Sequence, residues 1–238
     1  MTARPIRYAA RTHPGNVRPR NEDSVLPLPD ARVFVLADGM GGHEGGEFAS
    51  QTVISRIAAI PPTLEAGEQL RAMRSAIQDA HAEISQEADR RAATMGTTVV
   101  ALILTEAHFA CLWVGDSRLY LLRDGQTDQL TEDHSLVAEM VRAGKIRPEE
   151  AEHHPRANVI TRAVGVGDAL EIDKIRGEIR AGDRFLLCSD GLSRYAGEAR
   201  LTGFMTGPAL DAVAETLIEF ALSCGGEDNV SVIAVEIG

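Results

Sequence analysis

Val33-Phe34-Val35-Leu36-Ala37-Asp38-Gly39-Met40-Gly41-Gly42-His43 joins an unbroken apolar run to a carboxylate and a cluster of glycines. Four apolar residues and an alanine read as a buried strand. The run stops at Asp38, and the glycines after it free the backbone to turn and to approach a ligand. His43 and Glu44 open a helix expected to run through Ile60. A carboxylate at the rim of a buried strand is a suitable place for a cation, with the Gly39 carbonyl as a second oxygen donor. Asp-Gly is also a common turn pair, so the stretch by itself leaves both readings open.

The same pattern recurs along the chain. Asp116 follows Leu112-Trp113-Val114-Gly115, and Asp190 follows Phe185-Leu186-Leu187-Cys188-Ser189. Asp228 and Asn229 precede Val230-Ser231-Val232-Ile233, and Asp23 lies on the loop before Val33–Ala37. In an antiparallel arrangement the end of one strand neighbours the start of the next, so these acids can converge on one rim. Crowded carboxylates repel, and they stay ionised only with a cation among them. Oxygen donors without cysteines, or histidine pairs at ligand spacing, favour Mg²⁺ or Mn²⁺. A structural Ca²⁺ site is the alternative, but no EF-hand spacing exists. Two such ions about 3.5–4 Å apart on a bridging carboxylate generate a hydroxide at neutral pH, suited to in-line attack on a phosphate ester. Arg18 is a candidate clamp for the phosphate, because a guanidinium matches it bidentately. His43 is a candidate acid for the leaving group.

The rest of the chain supplies a scaffold. Ile6–Thr12, Thr97–Leu104, Phe109–Val114, Ser117–Arg123, Gln126–Leu130, Ile172–Ile179, Arg184–Cys188 and Val230–Ile237 read as strands, several joined by tight turns such as Asp124-Gly125. That is the pattern of antiparallel sheets, not of a doubly wound parallel one. Ala49, Val53, Ile57 and Ile60 mark one helical face; Leu70, Met73, Ile77, Ala80 and Ile84 mark a second, and Leu210, Val213, Leu217 and Ala221 a third within Pro208–Leu222. Residues 133–168 are polar, with two helical fragments. At about 35 residues they are too long for a routine connection and read as a functional flap.

Composition narrows the function further. The 238 residues suit one domain, and 35 Asp+Glu against 24 Lys+Arg give a net charge of −11 with no basic stripe, which argues against nucleic acid as a partner. Cys111, Cys188 and Cys224 read as reduced, buried residues of a cytoplasmic protein. Neither a signal peptide nor a membrane span is visible. Cys188 to Arg194 fits the C-x5-R pattern of cysteine phosphatases, but Asp190 would sit in the phosphate cradle and repel the dianion, and Cys188 ends an apolar strand.

Taken in order, Arg18-Pro19-Arg20-Asn21-Glu22-Asp23, Asp38-Gly39-Met40-Gly41-Gly42-His43, Gly96-Thr97-Thr98, Gly115-Asp116-Ser117-Arg118, Ser189-Asp190-Gly191 and Asp228-Asn229 resemble the motif set of the PPM-type metal-dependent protein phosphatases, the protein phosphatase 2C family, in its compact bacterial form. The likeness runs from about Gly15 to Val235. It implies an α+β fold, a four-layer α-β-β-α sandwich of two antiparallel sheets flanked by helices, as a single catalytic domain over residues 1–238. It also implies hydrolysis of phosphoserine and phosphothreonine with Mn²⁺ or Mg²⁺, two ions at the core and a weaker third. By motif position, Asp38 bridges two ions, Gly39 offers its carbonyl to one, and Asp190 and Asp228 ligate the other. Asp23 supports the cluster, and Asp116 with Asp190 holds the third ion. Arg18 meets the phosphate, His43 acts as general acid, and Thr97 and Thr98 are structural. The implied partners are phosphorylated proteins and, indirectly, a Ser/Thr kinase, for a monomer without nucleic-acid or membrane contacts. The rival is a non-catalytic phosphoprotein-binding module, whose signature would be loss of Asp38, Asp190 or Asp228; all three are present.

If His43 is the acid, His43→Ala should slow a phosphothreonine peptide by about 10²–10⁴-fold and p-nitrophenyl phosphate far less, because nitrophenolate leaves without a proton. Parallel steady-state assays on the two substrates check this, and equal losses count against the assignment.

Overall fold

The structure is a computed structural model describing residues 4–41, 44–151, 154–207 and 209–238. The sequence-stretch residues Gly42 and His43, and also Pro208, lie outside the described residues. Among the described residues, twelve strands and seven helices follow in chain order. They are β1 (Ile6–His13), β2 (Ser24–Leu28), β3 (Val33–Ala37), β4 (Gly39–Gly41), α1 (Gly45–Ala58), α2 (Ala66–Arg91), β5 (Met95–Thr97), β6 (Val99–Leu104), β7 (His108–Val114) and β8 (Arg118–Arg123). Then come β9 (Gln126–Gln129), α3 (Leu136–Arg142), α4 (Pro148–Ala151), β10 (Asp173–Glu178), β11 (Arg184–Cys188), α5 (Asp190–Ser193), α6 (Glu198–Met205), α7 (Leu210–Ser223) and β12 (Val230–Ile237).

Two five-stranded sheets form, in the orders β1-β12-β11-β8-β9 and β10-β7-β6-β3-β2, and every pairing in them is antiparallel. The period of two along each strand sorts its side chains into layers. Phe34, Leu36, Val100 and Leu102 of one sheet meet Leu119, Leu121, Phe185, Leu187, Ile233 and Val235 of the other in the central core. Val33, Val35, Val99, Ala101 and Ile103 point the opposite way, onto Val53 and Ile57 of α1 and Met73, Ile77 and Ile84 of α2. Tyr120, Leu186, Cys188, Val230 and Val232 point onto Leu201 of α6 and Val213, Leu217 and Ala221 of α7. Both faces of each central strand are therefore covered, which is why these strands read as continuous apolar runs. The result is the four-layer helix–sheet–sheet–helix sandwich expected from the sequence.

Several features depart from the sequence reading, among them the helices α5 and α6, which it did not anticipate. β2 went unrecognised because Pro27 interrupts it; it is an edge strand, where a missing N–H costs no ladder bond. Gly39–Gly41 is a short strand paired with Met95–Thr97, where a free glycine turn was expected. Cys224 is exposed just past α7, whereas Cys111 and Cys188 are buried as expected.

The register brings the relevant strand ends to one side. Leu36 of β3 pairs with Val100, and Val99 at the start of β6 pairs with Val114 at the end of β7. In the other sheet the last residue of β11, Cys188, pairs with Val232 near the start of β12. Residues 133–168 carry α3 and α4; a bridge between Ser135 and Ile160 closes the segment on itself, and one between Thr97 and Val164 ties it back to β5.

Phe185 is fully buried between the sheets, edge-on to Phe109 with ring centroids 5.1 Å apart. Phe185→Ala should cost about 3–5 kcal/mol and lower Tm by roughly 10 °C in a thermal melt.

Candidate functional site

Backbone hydrogen bonds set Asp38 at the end of β3. Its N–H donates to Thr98 Oγ1 (3.0 Å), and its carbonyl accepts from the Thr98 N–H (2.8 Å) and from Thr97 Oγ1 (2.9 Å). Thr98 in turn shares a hydrogen bond with Ser117 Oγ at 2.7 Å. Both threonines are buried, so their hydroxyls brace the strand end from inside. Gly39 is required by close packing: a Cβ there would stand 2.2 Å from the Gly46 carbonyl oxygen at the start of α1.

Asp228 and Asn229 divide two tasks. Asp228 is partly exposed, and its Oδ2 accepts from Arg18 Nη2 at 2.9 Å. Asn229 turns inward and staples the loop that carries Arg18. Its Nδ2 donates to the carbonyls of Pro14 (2.9 Å) and Arg20 (2.8 Å), and its Oδ1 accepts from the Glu22 N–H (2.8 Å). Asp23, next on that loop, is buried, and its Oδ2 accepts from Ser189 Oγ at 2.9 Å. Ser189 Oγ also receives the Ser231 N–H (2.9 Å), so one hydroxyl links Asp23 to the neighbouring ends of β11 and β12.

Asp116 leaves β7 through Gly115, whose φ of +104° favours glycine. The Gly115 N–H donates to His134 Nδ1 at 3.0 Å. His134 must therefore carry its proton on Nε2, which lies 3.0 Å from Asp173 Oδ2. Burial holds its pKa down, so the ring stays neutral while it ties residues 133–168 to the Asp116 turn. Arg118 holds Asp133 with both Nε (2.9 Å) and Nη2 (2.7 Å) beside the same turn. A cavity of about 640 Å³ opens here, lined among others by Asp116, Asp190, Arg118, Asp133 and Arg194.

The acids from both sheets thus meet. The Asp38 pKa is pushed well above the usual carboxylate value, first by burial of its charge and then by the charges of Asp23, Asp190, Asp116 and Asp228. Burial raises Asp23 to about 7, against hydrogen bonds that lower it. Burial, then Asp190, raises Asp116 to about 7. Asp190 is raised by burial, with Arg194 pulling the other way. Asp23 Oδ1 is a buried oxygen without a partner. An all-oxygen set of crowded, desolvated acids with an orphaned oxygen fits hard divalent cations. Among the described residues no three acid, histidine or cysteine side chains are already closed into a metal-binding group. Arg18 and Arg194 instead hold outer oxygens of Asp228 and Asp190.

Of the residues singled out in the sequence, Asp23, Asp38, Asp116, Asp190 and Asp228 are brought together, with Gly39 beside them and Arg18 on Asp228. His43 lies outside the described residues. The sequence reading missed the bracing by Ser189 and Ser117, the His134 tie and the place of Arg194. Cys188 is buried against the helices, and burial pushes its thiol up to about 12, so it is no nucleophile.

The sequence profile of the protein phosphatase 2C family matches residues 18–229. The chain belongs to that family. It is 41% identical over 236 residues to the serine/threonine protein phosphatase PstP of Mycobacterium tuberculosis, covering 98% of this chain and 45% of that protein. It thus spans about half the length of that relative. The serine/threonine phosphatase stp of Listeria innocua is 38% identical, covering 95% of this chain and 94% of that protein. A crystal structure of the PstP catalytic domain in complex with two manganese ions superposes with a TM-score of 0.90 at 39% identity, covering 99% of each chain.

A carboxyl whose folded pKa is raised contributes stability below its unfolded value of 3.8 and loses it as the pH rises through the folded value. The chelator-treated protein should therefore lose the contribution of Asp23 and Asp116 between about pH 4 and pH 7–8. Asp38→Asn, which removes one repelling charge, should raise the metal-free Tm at pH 8 by at least about 2–4 °C, the scale of 1 kcal/mol, and raise it less at pH 5. Calorimetric melts at the two pH values measure this.

Proposed function

We propose that this chain hydrolyses phosphoserine and phosphothreonine on proteins with Mn²⁺ or Mg²⁺. The observation that carries the reading is the convergence of Asp23, Asp38, Asp116, Asp190 and Asp228 from two sheets into one charge cluster. Asp38 with the Gly39 carbonyl, and Asp190 with Asp228, would hold two divalent ions; Asp23 supports them, and Asp116 with Asp190 would hold a weaker third. Bound there, such ions acidify water and offset the phosphate charge. Asp38 would contribute to holding the ions a charge that an amide cannot. Arg18 stands exposed at the rim, and its fork is free to turn from Asp228 to the phosphate oxygens. His43, five residues after Asp38, is assigned the proton that the serine or threonine oxygen takes on leaving.

The enzyme is read as opposing a Ser/Thr kinase, working as a cytoplasmic monomer on phosphorylated proteins. Among the described residues no helix is long and apolar enough to cross a membrane. Residues 133–168 are read as a flap whose surface near the cleft tunes the choice of protein substrate.

Purified protein should turn over p-nitrophenyl phosphate with Mn²⁺ and lose that activity after dialysis against EDTA, with Asp38→Asn, Asp190→Asn and Asp228→Asn each removing most of it. Full turnover in excess EDTA, or a wild-type rate in Asp38→Asn, would refute the assignment.

Replacing residues 145–154 should change rates on a phosphoprotein and leave small-ester turnover within about tenfold. A parallel fall on both substrates would place the flap in the catalytic site instead.

A further inference from the structure

The acid cluster already contains a cation of its own. Arg194 follows the short helix α5, one turn after Asp190. Its guanidinium is hydrogen-bonded to Asp190 Oδ2, and Nη2 lies 3.8 Å from Asp228 Oδ2. The side chain is only 20% exposed, and its Nε is buried without a partner. Arg18 contacts the same Asp228 oxygen at 2.9 Å. Arg194 thus spans the two acids assigned above to a single ion, and it lines the same cavity as Asp116.

We propose that Arg194 is a built-in competitor for divalent cations at the Asp190–Asp228 end of the cluster, and that it sets the metal affinity of this protein. The inference rests on the reading of Asp190 and Asp228 as metal ligands. A guanidinium cannot lose its proton in water, so it is removed from these oxygens only by turning away. An oxygen that accepts from Arg194 has a lone pair and a share of its charge already committed. A cation that takes Asp190 Oδ2 competes with that charge-assisted bond for the oxygen's charge. The cavity beside Asp116 gives the displaced side chain somewhere to go. Before metal arrives, Arg194 offsets repulsion between two carboxylates that backbone hydrogen bonds hold close. It therefore stabilises the metal-free protein and weakens the metal-loaded one.

The test is isothermal titration of the full chain with MnCl₂, alongside metal-free thermal melts, for wild type and Arg194→Met, Arg194→Gln and Arg194→Lys. The neutral variants should bind Mn²⁺ at least about tenfold more tightly, the scale of one hydrogen bond to a charged group. Arg194→Lys, which keeps the charge without the fork, should fall between them and wild type. The metal-free Tm should fall for the neutral variants, and the rise in Tm on adding Mn²⁺ should be larger than in wild type. Three neutral or conservative replacements guard against one variant failing to fold, which circular dichroism checks. Neutral variants that bind Mn²⁺ no more tightly than wild type would overturn the inference. Asp190→Asn separates this from the underlying assignment. If wild type and Asp190→Asn bind Mn²⁺ alike, the ligand reading itself fails, whatever Arg194 does.

Discussion

Repulsion among buried carboxylates is the constraint on which the rest of the structure turns. Asp23, Asp38, Asp116 and Asp190 are all held above their usual pKa, first by burial and then by neighbouring carboxylates of the cluster. For Asp23 and Asp116, raised to about 7, the shift costs the metal-free fold on the order of a few kcal/mol each at neutral pH, a large share of a typical domain's net stability. The cluster persists because backbone geometry imposes it. Thr97 and Thr98 hold Asp38, Ser189 holds Asp23, and Asn229 holds the loop from Pro14 to Glu22. A ligand that binds only the folded state returns the cost by mass action. Stability and metal binding are thus two readings of the same charges.

The sandwich makes this placement rigid. Each central strand is buried on both faces, so slipping its register by one residue would move one apolar set into the place of another of different shape. With the register held, the end of β3, the end of β7 and the neighbouring ends of β11 and β12 stay on one rim. Polar braces then act over single hydrogen bonds. Ser189 links the sheet carrying β11 and β12 to Asp23, and His134 links residues 133–168 to the turn at Asp116. Cation and anion alternate outward from this rim, from Asp190 to Arg194 and from Asp228 to Arg18. The acidic net charge of −11 is therefore not evenly spread; part of it is concentrated where arginines already partly answer it.

Much of this was legible in the linear chain. Apolar runs that stop at a carboxylate marked β3, β7 and β11 and the acids Asp38, Asp116 and Asp190, because a strand covered on both faces must be apolar throughout. Helical spacing marked α1, α2 and α7 for the same reason: one stripe of each is core. Other features had no such signal. β2 was hidden by Pro27, since whether a proline is tolerated depends on whether the strand is central or at an edge, and that is decided by pairing. The β4–β5 ribbon consists of three residues on each side, too short for any period to show. Cys224 looked like its buried counterparts and is exposed, because its environment depends on where α7 ends against its neighbours.

By itself the sequence determined which residues are apolar, with what period, and which acids stand at strand ends; those properties are local, so the layers and the acid set could be read from order along the chain. Only the tertiary structure decided which groups face one another across distance. Arg194 is four residues from Asp190 but thirty-four from Asp228, and its seat between them exists only because β11 and β12 pair at that end. His134 beneath Gly115, and Asn229 against the loop from Pro14, are likewise contacts between segments that meet only after folding. Electrostatic and hydrogen-bond energies depend on separation in space and on burial, and neither is a property of position in a chain.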